Sequence, residues 1–198
     1  MFEGEYLDGN RNGKGIEYDS KGRKIFEGEY QNERKINGFI YEYKGKMQYE
    51  QYYIDGEKKG KIIMREYFKD KLKFEGESLN WEKNGKGKEY DSKGKIIFEG
   101  LYLNGKRNGK GIEYNIDGKF IGEFKNGKKW NGVGYNNKNS INYQIFNGSG
   151  YLKEYYQGKL VYKGKYLDGL RHGEGEEYNF ITGKLIYKGK FINGEKLI

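Results

Sequence analysis

An aromatic-x-Gly-x-aromatic motif recurs along the 198-residue chain, and this recurrence constrains the fold more than any other feature. It reads Phe2-Gly4-Tyr6, Phe26-Gly28-Tyr30, Phe98-Gly100-Tyr102, Phe120-Gly122-Phe124, Tyr162-Gly164-Tyr166 and Tyr187-Gly189-Phe191. Two copies are altered: Tyr49-Gln51-Tyr53 lacks the glycine, and Phe74-Gly76-Ser78 lacks the second ring. The units start near 2, 26, 49, 74, 98, 120, 162 and 187, so all but one spacing lies between 22 and 25 residues. A period in this range is the signature of a repeat architecture. Residues 1–198 therefore read as a single array of seven near-complete units and a half unit.

Each unit holds two strand-like segments. In the fifth, Ile96, Phe98, Gly100 and Tyr102 alternate onto one face, with Ile97, Glu99 and Leu101 on the other. Asn104-Gly105 then signals a hairpin, because both residues tolerate positive φ. The second segment, Gly109 to Tyr114, ends before a further turn at Asp117-Gly118. Short turns of this kind require antiparallel neighbours, since parallel pairing needs crossovers of a dozen residues or more. The expected fold is all-β: an elongated, single-layer antiparallel β-meander of hairpin repeats, a twisted, solenoid-like ribbon. Its rings are expected to lie over glycines of the neighbouring strand, such as Gly109 and Gly111. Lys and Glu are expected to occupy the opposite face.

Composition supports this and removes alternatives. The chain has 33 Gly, no Pro, no Cys and no Ala, which argues against helices. Leu, Ile, Val and Phe make up about a fifth of the residues, too few for a thick core. The aromatics, 17% of the chain, argue against disorder. Disulfides and Cys-based chemistry are excluded. Neither a secretory signal peptide nor a membrane-spanning helix is expected.

The unit FEGLYLNGKRNGKGIEYNIDGK resembles a MORN repeat, whose pattern is roughly YxGxYxxGxxxGxG. Phe98, Gly100, Tyr102, Gly105, Gly109 and Gly111 fill it, and the tail Glu113, Tyr114, Gly118 and Lys119 is similar to variant MORN repeats. Tyr162, Gly164, Tyr166, Gly173 and Gly175 mark the unit most similar to the ordinary form. The resemblance covers essentially the whole chain. It implies an elongated β-meander serving as a scaffold or binding surface. Arrays of this family tether membranes, organise cytoskeleton or cilia, or accompany lipid-kinase domains, and phosphoinositide binding has been proposed for them.

No residue pattern points to catalysis. The Gly-x-Gly pairs precede strands, whereas a dinucleotide site needs a helix there. Gly105 to Lys110 is one residue short of a phosphate loop, and Gly111 stands where a Ser or Thr would hold magnesium. His172, the only histidine, reads as structural or solvated. Glu176 and Glu177 are adjacent in a strand and face opposite sides. No enzyme activity, cofactor or metal is expected.

Charge is unevenly spread. The net charge is +9, and residues 119–170 carry nine Lys against three carboxylates. The same stretch holds the one long spacing, read as an extra hairpin inserted at about 133–148. Lys125, Lys128, Lys129 and Lys138 are the candidate anion- or lipid-binding residues, expected to be exposed and to converge on one anionic surface.

The expected function is a non-catalytic scaffold for protein–protein interaction with weak membrane association. Two alternatives stay open: an anionic-lipid, phosphoinositide-type binding module, and an accessory array of a larger enzyme such as a lipid or protein kinase. A protein partner and an anionic membrane surface are the expected partners, with self-association through terminal edge strands. Nucleic acid is not expected, since the rings are committed to glycine packing. The expected location is cytoplasmic, peripheral at a membrane or cytoskeletal structure.

Overall fold

The computed structural model describes residues 1–156 and 159–197, and among them every regular element is a β-strand. The backbone gathers into two compact units, residues 1–82 and 83–198. The first contains β1 (Phe2–Leu7), β2 (Asn10–Tyr18), β3 (Lys24–Gln31), β4 (Arg34–Lys44), β5 (Met47–Ile54), β6 (Glu57–Phe68) and β7 (Lys71–Leu79). The second contains β8 (Glu82–Tyr90), β9 (Ile96–Leu103), β10 (Lys106–Asn115), β11 (Gly118–Lys125), β12 (Lys128–Asn136) and β13 (Ile141–Phe146). It continues with β14 (Ser149–Tyr156), β15 (Lys159–Leu167), β16 (Leu170–Tyr178), β17 (Leu185–Ile192) and β18 (Glu195–Lys196). Within each unit every strand pairs antiparallel with the strand before and after it, as in a meander.

The turn chemistry explains the pairing. Asn104 and Gly105 adopt φ of 48° and 77°, the two successive left-handed residues of a two-residue hairpin turn. That turn sets Tyr102 opposite Arg107. Gly100 then faces Gly111, so Asn108, Gly109 and Lys110 stand opposite Leu101 alone. This bulge gives Gly109 its φ of 93°, a conformation that Gly adopts at no steric cost.

Gly109 and Gly111 therefore do different jobs, which corrects the expectation that both lie beneath a ring. A Cβ on Gly111 would come within 2.7 Å of Cζ of Phe98, whereas one on Gly109 would meet the side chain of Leu101. Gly111 makes room for the ring, and Gly109 forms the bulge. Phe98 and Tyr102 are buried and meet edge to face with centroids 5.6 Å apart. Tyr162 and Tyr166 repeat that contact at 5.5 Å, and Tyr162 lies over Gly164 and Gly175 as Phe98 lies over Gly100 and Gly111. Gly173 takes the bulge role, with φ of 72°. Each fully buried ring is worth roughly 1.5–3 kcal/mol, so a single row of rings supplies the core of a thin sheet.

In the stretch expected to hold an extra hairpin, β12 and β13 pair across the turn at residues 137–140. The following strand, β14, completes a further two-strand unit. It meets β13 at two positions only, Ile145 with Gly150 and Phe146 with Ser149.

Candidate functional site

The row of rings is covered by a row of ion pairs. In seven hairpins the second ring pairs directly with a cation: Tyr6 with Arg11, Tyr30 with Lys35, Tyr53 with Lys58, and Tyr102 with Arg107. The series continues with Phe124 and Lys129, Tyr166 and Arg171, and Phe191 and Lys196. Arg107 lies 4.1 Å above the Phe98 ring, and Arg171 lies 4.3 Å above the Tyr162 ring.

Carboxylates stand between successive cations. Glu113 bridges Arg107 at 2.8 Å and Lys129 at 2.6 Å, while Glu89 holds the other side of Arg107 at 2.7 Å. Glu17 links Arg11 to Lys35, and Glu177 links Arg171 to Lys196. Burial raises the Glu89 carboxyl pKa, but the hydrogen bond and charge of Arg107 outweigh it, so the group titrates below the usual carboxylate range. Lys and Glu were expected on the face away from the rings, yet these members cap the rings themselves. A signal was present: Arg or Lys stands six residues before Glu in Arg11–Glu17, Lys83–Glu89, Arg107–Glu113 and Arg171–Glu177.

The four candidate lysines do not form one surface. Lys129 is inside the row, with only 9% of its side chain exposed. Burial works against its ammonium, but attraction to Glu113 prevails and its pKa lies above the ordinary lysine value. It also donates to the Tyr143 hydroxyl at 3.3 Å. Lys125 is exposed, with Nζ 4.3 Å from the centre of the Trp130 ring. Lys128 is exposed at the start of β12, opposite Lys125. Lys138 is exposed in the turn beyond the other end of β12, roughly 25 Å away at the rise of an extended strand. In place of the expected convergence there is one lysine inside the ion-pair row, Lys129, an exposed cross-strand pair, Lys125 and Lys128, and Lys138 exposed at the far end of β12.

A second feature was not legible in the charge pattern. At the turn edge of the second unit, Ile116, Tyr156, Phe180 and Ile181 line an open hollow of about 670 Å³ with Ile96 and Ile97. Ile116 is 70% exposed and Ile181 68%. Tyr156 and Phe180 meet edge to face at 5.4 Å. Lys93, Lys95 and Lys159 also line the hollow, and Lys159 donates to the Ile181 carbonyl at 3.2 Å. Asp91 accepts the backbone N–H groups of Lys93 and Lys95 at 2.8 and 2.9 Å, which fixes the turn that presents them.

The Nδ1 of His172 is buried without a hydrogen-bond partner among the described residues. Among the described residues no three His, Asp or Glu side chains gather to hold a metal ion.

The paired strands, rings and bulges define a β-hairpin repeat protein. Residues 2–22, 98–119, 120–130 and 162–178 match the family model for the MORN repeat. The hairpins at 24–44 and 47–68, outside those matches, keep the same ring–cation pairing at Tyr30–Lys35 and Tyr53–Lys58. No curated protein sequence matches the chain. MORN repeats are generally associated with membrane or protein binding and are typically non-catalytic modules.

Proposed function

We propose that the protein is a non-catalytic scaffold that docks a protein partner through the turn edge of its second unit. The observation that carries this is the hollow around Ile116, Tyr156, Phe180 and Ile181. Ile116, Phe180 and Ile181 on turns and Tyr156 at the end of β14 are 48% to 70% exposed, inside a rim of lysines. Contiguous exposed apolar surface rimmed by polar groups marks interaction sites. The lysine rim favours a partner segment that carries apolar side chains flanked by carboxylates.

The same rim supports a second reading, peripheral attachment to an acidic membrane at a cytoplasmic surface. Ile116 and Ile181 would enter the headgroup region there, and Lys93, Lys95 and Lys159 would face anionic lipid.

A photo-crosslinking residue at position 180, compared with one at exposed position 86, tests the docking reading in cells. We expect one partner captured from 180 and not from 86, and lost in the Ile116→Asp/Ile181→Asp double variant, whose melting temperature should match the parent. Equal capture from both positions, or capture that survives the double variant, overturns it. Sedimentation with phosphatidylserine vesicles tests the second reading, which requires low-salt binding that the double variant abolishes.

A further inference from the structure

The ring–cation row has one defective step. In the other hairpins of the second unit whose two tip residues are Asn-Gly or Asp-Gly, the residue two beyond the tip glycine is Arg or Lys: Arg107, Lys129, Arg171 and Lys196. After Asn147-Gly148 it is Gly150, and its partner across the strands is Ile145 instead of a ring. Between the rungs on either side, Lys129 and Arg171, lies a cavity of about 430 Å³. Phe124, Leu152 and Leu170 give it apolar walls. Its volume falls within the range of ordinary small-molecule sites.

The charged groups around it are nearly all satisfied. Arg107 has Glu89 and Glu113, Lys129 shares Glu113, and Arg171 binds both oxygens of Glu154. Arg171 also binds Glu177, so each of these three cations already has a carboxylate partner. Two lining groups are left over. Lys128 has an exposed side chain that makes no ion pair or hydrogen bond among the described residues. Tyr166 is 9% exposed, and its hydroxyl is buried with no partner. At the equivalent position, Tyr102 donates to Glu89 at 2.6 Å. An unsatisfied buried hydroxyl destabilises a fold, and Phe124 and Phe191 show that the position accepts a ring without one.

We infer that this cavity is a binding site for a small organic carboxylate with an apolar body. The unpaired Lys128 ammonium calls for an anionic group. Two free donors match the two oxygens of a carboxylate. Phe124, Leu152 and Leu170 take the apolar portion. The site is separate from the turn-edge hollow.

Calorimetric titration of the full chain tests this with 4-phenylbutyrate, and with acetate, 4-phenylbutanol and inorganic phosphate as comparators. We expect saturable one-to-one binding of 4-phenylbutyrate. Acetate lacks the apolar body and 4-phenylbutanol the charge, so each should bind at least about tenfold more weakly. Tyr166→Phe should weaken 4-phenylbutyrate by about five- to tenfold while leaving the melting temperature equal or higher, and Lys128→Gln should weaken it by a similar factor. The inference is overturned if 4-phenylbutyrate shows no saturable binding at millimolar concentration. It is equally overturned if both variants bind like the parent, or if inorganic phosphate binds more tightly than 4-phenylbutyrate.

Discussion

The hairpin tips of residues 83–198 are chained to one another, and those of residues 1–82 mostly are not. In the second unit the amide of Gly105 donates to the Lys83 carbonyl, Gly127 to Arg107, Gly148 to Trp130, Gly169 to Gly148, and Gly194 to Arg171. Each of these tips is Asn-Gly or Asp-Gly. In the first unit the described tips are joined in this way only from Glu33 to Arg11. Three of its turns, Asn32-Glu33, Lys69-Asp70 and Asn80-Trp81, place a side chain where the second unit has glycine. Side chains then carry the contacts: Trp81 meets Tyr49 edge to face at 4.6 Å, and its carbonyl accepts the Tyr49 hydroxyl at 3.2 Å. Arg65, between Glu50 at 2.7 Å and Glu75 at 2.9 Å, adds a cross-strand network. The difference shows that a hairpin array can keep its meander after losing repeat residues, provided other groups take over the contacts.

The sharpest break in this comparison is at the inter-strand glycine. Gly111→Val should destabilise the second unit by about 3 kcal/mol, because its Cβ would meet the buried Phe98 ring. Gln51 in the first unit fills the position of Gly100, the cross-strand partner of Gly111, half-buried, with Nε2 donating to the Gly60 carbonyl at 3.2 Å. Gln51→Val should therefore cost less than about 1 kcal/mol. Urea unfolding of the two variants measures the gap, and equal losses would show that ring-over-glycine packing does not distinguish the units.

Removing a rung comes next. Arg107→Met strips Glu89 and Glu113 of a shared cation and should cost about 2 kcal/mol, less than a fully buried pair because both carboxylates are partly exposed. It should also change the acid limb of the stability profile. Glu89 has a depressed pKa in the folded chain, so its contribution is full above the unfolded value of about 4.3 and is lost as pH falls through the folded value. The parent should lose stability steeply below about pH 4.5, and the Met variant less steeply. Parallel acid limbs would remove Arg107 from the explanation.

The smallest effect sharpens the contrast between turns. Asp70, at φ 59°, should become more stable by about 0.5–1 kcal/mol as Asp70→Gly. Gly105, at φ 77° with open space around its missing Cβ, should lose about 1 kcal/mol as Gly105→Ala. Melting curves that move in the same direction for both variants would contradict the turn comparison.

Most of the fold was legible because every unit repeats its turn and ring residues at matching offsets, so Phe98, Gly100, Tyr102 and Gly111 could be placed from one unit and checked in the next. Gly109 was misassigned because a sequence marks a glycine without saying whether it serves close packing or positive φ. Lys129 was misread for a related reason. A lysine in a basic run looks solvated until the register sets it opposite Phe124 and beside Glu113. The apolar hollow at Ile116 and Ile181 joins turns some 65 residues apart in the chain, and no local pattern reports that proximity.

The chained tips have a consequence for how the second unit opens. Hairpin tips are ordinarily where a β-protein frays first and where its amides exchange fastest with solvent. Here the amides of Gly105, Gly127, Gly148, Gly169 and Gly194 are each committed to the preceding hairpin, or for Gly169 to the adjacent tip. Their exchange must wait until two neighbouring hairpins separate. Protection is thereby carried out to one rim of the sheet; at the opposite rim, among the described residues, the backbone amides of Asp91 and Asn179 donate within their own turns.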